Sequence, residues 1–296
     1  MKKTILRLLI FFIGIPLVIA LVLWPLYNHL PLHIVFVLAS MLAANELYNM
    51  FKTQGELISK PLVITLSAIP SLVAAAYQVL PAFFPQLHFP FGLEIITYAY
   101  IITILIILVS EVLGQTDFTH SNRRISASAF IVFYAGYLIT FISRMTSATK
   151  ASLPCSSQII AIFFLMVFLC DSLAWFFGVL LGKNNKGLIK ASPNKSVAGF
   201  LGGFAGSILA GLIGYYIWPE IFSGSVVKLI IVSLCIALAG IIGDLAESVF
   251  KRSSGVKDSG KIIPGRGGLL DSVDSILMAA PVYYGLVSLL YGIGIS

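Results

Sequence analysis

The stretch "IIVSLCIALAGIIGDLAESVFKRSSGVKDSGKIIPGRGGLLDSVDSILMAAPVYYGLVSLLYGIGI", residues 230–295, places a charged segment between two long apolar runs. Each run, 230–250 and 276–295, has the length and the apolar character of a helix that crosses a lipid bilayer. The segment between them, 251–275, contains five glycines together with lysines, arginines and aspartates. This pattern predicts two membrane-spanning helices joined by a polar loop at the membrane surface.

The rest of the chain is equally apolar. Of its 296 residues, 58% are hydrophobic and only 10% are charged, and the mean hydropathy is +0.99. A soluble domain of this length does not need so much apolar surface, and the alternation typical of outer-membrane strands is absent. We therefore predict an all-α, polytopic integral membrane protein with about nine transmembrane helices. The predicted spans lie near 5–27, 31–51, 61–80, 91–113, 127–143, 157–182, 196–218, 226–250 and 276–295.

The start of the chain, "MKKTILRLLIFFIGIPLVIALVLW", has the basic beginning and apolar continuation of a signal peptide. Its apolar stretch is too long for one, and no small-residue cleavage pattern follows. It is expected to be the first retained helix.

The 19 basic residues are distributed unevenly between the two sides of the predicted helices. Most lie at the N-terminus and in the loops near 52–60, 114–126, 183–195 and 251–275, and only Arg144, Lys150 and Lys228 fall on the opposite side. The positive-inside rule predicts that the N-terminus and these loops are cytoplasmic, as in a protein of the bacterial inner membrane. This placement of charge explains the net charge of +7 without a nucleic-acid partner.

The two halves of the chain differ in polar content. Residues 1–150 are predicted to form an N-terminal transmembrane helical region. Residues 151–296 are predicted to form a C-terminal transmembrane region with cytoplasmic loops 183–195 and 251–275, and any catalytic chemistry is expected in this region. In the second half, "GFLGGFAGSILAGLIG" (199–214) places Gly202, Gly206 and Ala210 on one helix face. Such faces let helices pack closely in lipid, and this one is also a plausible homodimer contact.

Carboxylates within membrane spans are costly and usually mark a functional site. Asp244 and Glu247 lie three residues apart before the charged segment, and Asp271 and Asp274 lie three apart after it. If the loop folds back, the four carboxylates converge, and such an all-oxygen set suits Mg²⁺. The alternative is that Asp271 caps its helix and Asp274 pairs with a lysine.

Two other acidic residues, Glu46 and Glu111, fall near the cytoplasmic ends of their predicted helices. We expect both side chains to be solvated there.

Basic residues accompany the aspartates. Those of the charged segment, with "PGRGG" (264–268), could bind phosphates because glycine lets backbone N–H groups approach the oxygens. A second basic segment, "GKNNKGLIKASPNKS" (182–196), is predicted to lie on the same side. The alternative is a basic patch that binds anionic lipid head groups.

These segments together resemble the phosphatidate cytidylyltransferases. The stretch "SVFKRSSGVKDSGKIIPGRGGLLDSVD" (248–274) resembles the C-terminal signature of that family, and "GDLAES" (243–248) resembles the entry to it. Upstream, "DSLAWFFGVLLGK" (171–183) and "SPNKS" (192–196) are similar to two further family segments. The resemblance covers about residues 165–290.

The resemblance implies a reaction of CTP with phosphatidic acid that gives CDP-diacylglycerol and pyrophosphate. It implies Mg²⁺ as the cofactor, and whether a second cation also binds is left open. The implied metal ligands are Asp244, Asp271 and Asp274. The implied catalytic residues are Asp244, Asp271, Asp274, Lys251 and Lys257. Substrate-binding roles are implied for Asp171, Ser192, Lys195, Ser248, Arg252, Asp258, Lys261, Arg266, Gly267 and Gly268.

The sequence departs from the family pattern at a few positions. Arg266 replaces a histidine, Ser272 an arginine and Asn194 a lysine, and Val197-Ala198 replaces Trp-Glu. Cytidylyl transfer to another lipid phosphate and a weakened homologue therefore stay open as alternatives. An ion-coupled transporter is less favoured, because the polar residues concentrate in one half and at one surface.

Overall fold

The computed structural model describes residues 13–222, 224–263 and 265–295. Within them, eight helical segments are long and apolar enough to cross a membrane, which confirms the all-α, polytopic prediction. They are α2 (Leu30–Lys52), α3 (Lys60–Phe83), α4 (Glu94–Gly114), a composite segment (Ser121–Ser147), α7 (Ser156–Leu181), α8 (Val197–Ile217), α10 (Val226–Ser253) and α11 (Leu270–Tyr291). The short helices α1 (Ile15–Val22) and α9 (Pro219–Phe222) complete the described helices outside the composite segment.

The first predicted span, near 5–27, lies partly outside the described residues. The prediction that this segment is a retained first helix concerns the same residues and stays a prediction. Its described part contains α1.

The composite segment replaces the short predicted span 127–143. It consists of α5 (Ser121–Ile131), a π-helical turn (Val132–Tyr137), α6 (Thr140–Arg144) and a 3₁₀ turn (Met145–Ser147). Gly136 lies in the π-helical turn where the segment crosses α3, and a Cβ atom there would collide with the backbone of Ser67. The close crossing therefore requires glycine at this position.

Three short strands form a small antiparallel sheet. They are β1 (Ala148–Lys150), β2 (Leu153–Pro154) and β3 (Gly294–Ile295), in the order β2-β1-β3. Thr149 pairs with Pro154 on one side and with Gly294 on the other. The sheet ties the chain after α11 to the connection that precedes α7.

The glycine-rich face of α8 packs against α7 within the same chain. Cβ atoms at Gly202 and Gly206 would collide with the carbonyl oxygens of Leu173 and Leu169 on α7. The glycine-rich face of α8 therefore packs against another helix of the same chain, as predicted. Because Gly202 and Gly206 are buried in this contact, the same face is not available for the homodimer contact suggested by the sequence.

Glu111 is buried rather than solvated, so that expectation was wrong. Its Oε1 accepts a 2.6 Å hydrogen bond from Nη2 of Arg124 at the start of α5, and both side chains are at most 5% exposed. The turn after α4 folds Arg124 over the helix end, and the resulting ion pair replaces solvation by water.

Candidate active site

The loop between α10 and α11 is shorter than the predicted charged segment, because both helices extend into it. We refer to residues 254–269 as the signature loop. Ile263 and Gly267 exchange two backbone hydrogen bonds of 2.8 and 3.0 Å, which close a tight turn. Gly265 and Gly267 have φ angles of +82° and +126° in this turn, a conformation that favours glycine. Arg266 lies between these two glycines.

Arg266 lines a cavity of about 370 Å³ that also contacts α7, α8 and α10. The basic loop (residues 182–196), which joins α7 to α8, forms another side of it. The polar side chains that line the cavity are Asp171, Lys186, Asn194, Lys195, Ser196, Asp244 and Arg266. The cavity therefore combines carboxylates with cationic groups.

Two residues of this cavity are paired in the structure. Nζ of Lys195 lies 2.5 Å from Oδ2 of Asp244, and both side chains stay partly exposed. Ser196 begins α8, where its hydroxyl oxygen accepts a 3.0 Å hydrogen bond from the Gly199 N–H. This cap fixes the backbone beside Lys195, so the lysine is held next to the carboxylate.

The cavity has an apolar side. Trp175 and Val179 on α7 line it, and both are about two-thirds exposed. Phe200 and Ile241 contribute further apolar surface. Exposed apolar side chains on a helix long and apolar enough to cross a membrane are expected to face lipid, which would place the charged cavity at the edge of the bilayer.

A second charged cluster lies at the start of α11. Lys251 Nζ pairs with Glu247 and also donates a 2.6 Å hydrogen bond to Oδ1 of Asp271. All three side chains are largely buried, with exposed fractions of 14%, 1% and 8%. The expected convergence of Glu247 and Asp271 is therefore present, but Lys251 is paired with these carboxylates rather than free for a phosphate.

Asp271 also fixes the signature loop. Its Oδ2 accepts hydrogen bonds from the backbone N–H of Ser259 (2.9 Å) and of Gly268 (2.8 Å). The N–H of Gly267 donates to the carbonyl oxygen of Ile263. The N–H groups of Gly267 and Gly268 are therefore both bonded within the protein here, and the substrate-binding role implied for these glycines remains a prediction.

Asp274 is buried one turn further along α11. Its Oδ1 accepts a 2.7 Å hydrogen bond from the N–H of Ser275, and Asp171, Asp244 and Glu247 are near enough to interact with it electrostatically. Within the described residues Asp274 forms no ion pair, so the lysine pairing considered for it is absent. The carboxylates of α7, α10 and α11 thus approach one another at this depth.

The remaining implied residues lie outside the cavity lining. Arg252, Lys257, Asp258 and Lys261 are exposed, whereas Ser192 and Ser248 are half-buried. Arg252 Nε lies 3.4 Å from the carbonyl oxygen of Ala191, which links the end of α10 to the basic loop. Their implied contacts with substrate remain predictions.

Comparison with known proteins shows the family of this chain. The sequence profile described as "Cytidylyltransferase family" matches residues 5–290. The chain belongs to the cytidylyltransferase family.

Several proteins named phosphatidate cytidylyltransferase are similar to this family member. The one from Synechocystis sp. is 34% identical over 192 residues, which cover 56% of this chain and 63% of that protein. Those from Staphylococcus haemolyticus and Staphylococcus aureus (strain COL) are 40% and 44% identical over 119 residues, which cover 40% of this chain and 45% of each relative. The matched part of the chain thus spans less than two thirds of these relatives.

Magnesium in this cytidylyltransferase-family protein remains a prediction from the resemblance. Within the described residues, no group of three or more histidine, cysteine or acidic side chains is arranged to hold a metal ion. Asp244, Asp271 and Asp274 therefore do not form a complete ligand set by themselves. Mg²⁺ usually takes one or two carboxylates together with substrate phosphates. Asp171 and Asp244 line one cavity, and their oxygens fit such a partial set.

Sequence reasoning missed two residues that fix the signature loop, namely Glu46 on α2 and Ser259 in the loop itself. Glu46, expected to be solvated, is 2% exposed and accepts hydrogen bonds from the N–H groups of Leu269 and Leu270. Ser259 lies between Glu46 and Asp271, and its hydroxyl is within hydrogen-bonding distance of both. The available signal was a glutamate in an otherwise apolar helix, but the sequence does not show which loop covers it.

Proposed function

We propose that this protein transfers the cytidylyl group of CTP to phosphatidic acid, which gives CDP-diacylglycerol and pyrophosphate for phospholipid synthesis. The observation that carries the proposal is the mixed cavity, in which Asp171 and Asp244 lie with Lys195 and Arg266 beside the exposed apolar side chains of Trp175 and Val179. The names of the similar proteins support the same substrates.

The chemistry requires two anions to approach each other. A phosphate oxygen of phosphatidic acid attacks the α-phosphorus of CTP, and the bond from that phosphorus to the bridging oxygen of the β-phosphate breaks. Pyrophosphate leaves with the electrons of that bond. The nucleophile is already anionic, so positioning and charge neutralisation contribute more than proton removal.

The residues of the cavity suit these needs. Lys186, Lys195 and Arg266 would bind phosphate oxygens and offset their repulsion. Lys195 is paired with Asp244 in the structure, so binding of a phosphate would compete with this ion pair. Asp244 and Asp171 would hold Mg²⁺, which would supply further neutralisation of the phosphate charge. The metal-binding roles of Asp271 and Asp274 rest on the resemblance alone.

The two substrates differ in how they reach such a cavity. CTP is soluble and would enter from the side of the basic loop, whereas phosphatidic acid would enter from the bilayer past Trp175 and Val179. The positive-inside distribution supports a cytoplasmic position of the site in a bacterial inner membrane.

The test is transfer of label from CTP to lipid. Purified protein is incubated with CTP labelled at the α-phosphate, phosphatidic acid in mixed micelles and Mg²⁺. We expect a labelled CDP-lipid and unlabelled pyrophosphate. Diacylglycerol is the matched control, because it lacks the phosphate nucleophile and should give no labelled product.

The absence of labelled lipid with any divalent cation would contradict the proposal. Efficient labelling of a different lipid phosphate, with phosphatidic acid unreactive, would retain the reaction and replace the lipid substrate.

A further inference from the structure

We propose that Glu46, in the N-terminal half of the chain, is a positioning residue that holds the signature loop and the start of α11 in their active arrangement. The catalytic consequence of this role rests on the proposed function. The positioning itself can be tested without any reaction.

The carboxylate of Glu46 makes three contacts with the C-terminal half. Oε1 accepts a 2.9 Å hydrogen bond from the N–H of Leu269, and Oε2 accepts one of 2.8 Å from the N–H of Leu270. Oε2 also lies 2.8 Å from the hydroxyl oxygen of Ser259. Both oxygens of this buried side chain are therefore bonded to the signature loop or to the helix that follows it.

These contacts satisfy a specific need of α11. The first N–H groups of a helix have no partner within the helix, and the residue before α11, Leu269, has no side-chain oxygen that could accept from them. Glu46 supplies this cap from a distant helix, and a carboxylate at this end is also favoured by the helix dipole. The first turn of α11 carries Asp271, so the cap fixes the position of that carboxylate.

Ser259 extends the contact from Glu46 to Asp271. Its hydroxyl lies 2.8 Å from Oε2 of Glu46 and 2.9 Å from Oδ2 of Asp271. A hydroxyl has one proton and can donate to one of the two carboxylates at a time. Its backbone N–H donates separately to Asp271. Ser259 is thus held against Asp271 whichever carboxylate receives the hydroxyl proton.

Two glycines of the signature loop make room for the same carboxylate. A Cβ atom at Gly260 or Gly268 would collide with Glu46. The backbone therefore passes directly over the carboxylate, so close that a side chain at either position would displace the carboxylate from its partners. This contact explains these glycines without a bound phosphate.

The experiment compares amide hydrogen exchange in Glu46→Gln with that in the wild-type protein, on a peptide that covers residues 259–271. Glutamine keeps one acceptor but presents an NH₂ group to a backbone N–H, so it cannot cap both amides. We expect exchange at Leu269 and Leu270 to become at least 10-fold faster. We also expect kcat for CDP-lipid formation to fall at least 10-fold, with a smaller change in KM for CTP.

Glu111→Gln is the matched control, because it makes the same change at a buried glutamate that contacts Arg124 instead of the loop. It should leave exchange at Leu269 and Leu270 unchanged. Glu46→Asp retains a carboxylate on a shorter side chain and should give exchange rates between those of the wild type and Glu46→Gln; it serves as the test variant if the glutamine protein does not fold.

Unchanged exchange in the Glu46 variants, or an equal increase in Glu111→Gln, would overturn the proposal. If the wild-type protein forms no CDP-lipid, the proposed function fails, and the exchange result still decides the role of Glu46.

Discussion

Lys251 lies between the carboxylates of Glu247 and Asp271 and is largely shielded from solvent. Burial of three charged groups is tolerated because each is paired, and removal of the cation would leave two carboxylates facing each other. Lys257, by contrast, is exposed on the signature loop. The two lysines of the same signature therefore differ in physical role.

We predict that Lys251→Met lowers the free energy of unfolding by about 3 kcal/mol, the usual cost of breaking a buried ion pair. Lys257→Met, the matched control, should change it by less than about 0.5 kcal/mol. The measurement is denaturant unfolding of both variants in mild detergent. Equal stability of the two proteins, with a raised KM for CTP in Lys251→Met alone, would instead assign Lys251 to phosphate binding.

At the scale of helices, the cavity depends on how closely α7 and α8 approach each other. Gly206 and Gly202 allow the backbones to touch, and this contact places the α7 residue Asp171 beside the basic loop that leads into α8. In lipid, where burial of apolar surface drives association weakly, such close packing is a main source of helix pairing.

Gly206→Ala should therefore destabilise the protein by about 2 kcal/mol, because the added methyl group forces the two helices apart. Gly285→Ala makes the same change in α11, where a Cβ atom has open space. It should be neutral or stabilising by up to about 1 kcal/mol, since alanine favours helix more than glycine. The comparison uses thermal unfolding of both variants, and an equal loss of stability would contradict the packing account.

At the scale of the whole molecule, the sequence predicts the local features well. Apolar length predicted the spans. The family resemblance singled out Asp171, Lys195, Asp244 and Arg266, and the structure places all four around one cavity, whereas their roles there remain predictions. In each case the information lies in a continuous stretch of chain or in a resemblance to one.

The contacts that the sequence did not predict are distant along the chain. Glu46 and Ser259 are 213 residues apart, and no local pattern indicates that a loop of one half covers a helix of the other. Glu111 and Arg124 are nearer, but their pairing depends on the turn between α4 and α5. A carboxylate near a predicted helix end is therefore solvated or buried according to tertiary structure alone.

The orientation in the membrane is tested on the whole protein. The background carries Cys235→Ser, because Cys155 and Cys170, the other two cysteines, are buried. One further cysteine is then introduced in each of two variants, Lys257→Cys and Gln86→Cys, both at exposed positions. We expect a membrane-impermeant maleimide to label position 257 only in inside-out vesicles and position 86 only in right-side-out vesicles. The reverse pattern would contradict the positive-inside assignment.

The central claim is that CTP and phosphatidic acid react at the cavity that contains Asp244. The most direct test is the rate of CDP-lipid formation by Asp244→Asn, with Asp117→Asn, a change at an exposed loop aspartate, as the matched control. We predict a fall of at least about 100-fold for Asp244→Asn, as for loss of a group that stabilises the transition state, and a near-normal rate for Asp117→Asn. A near-normal rate in Asp244→Asn would contradict the account and place the reaction elsewhere.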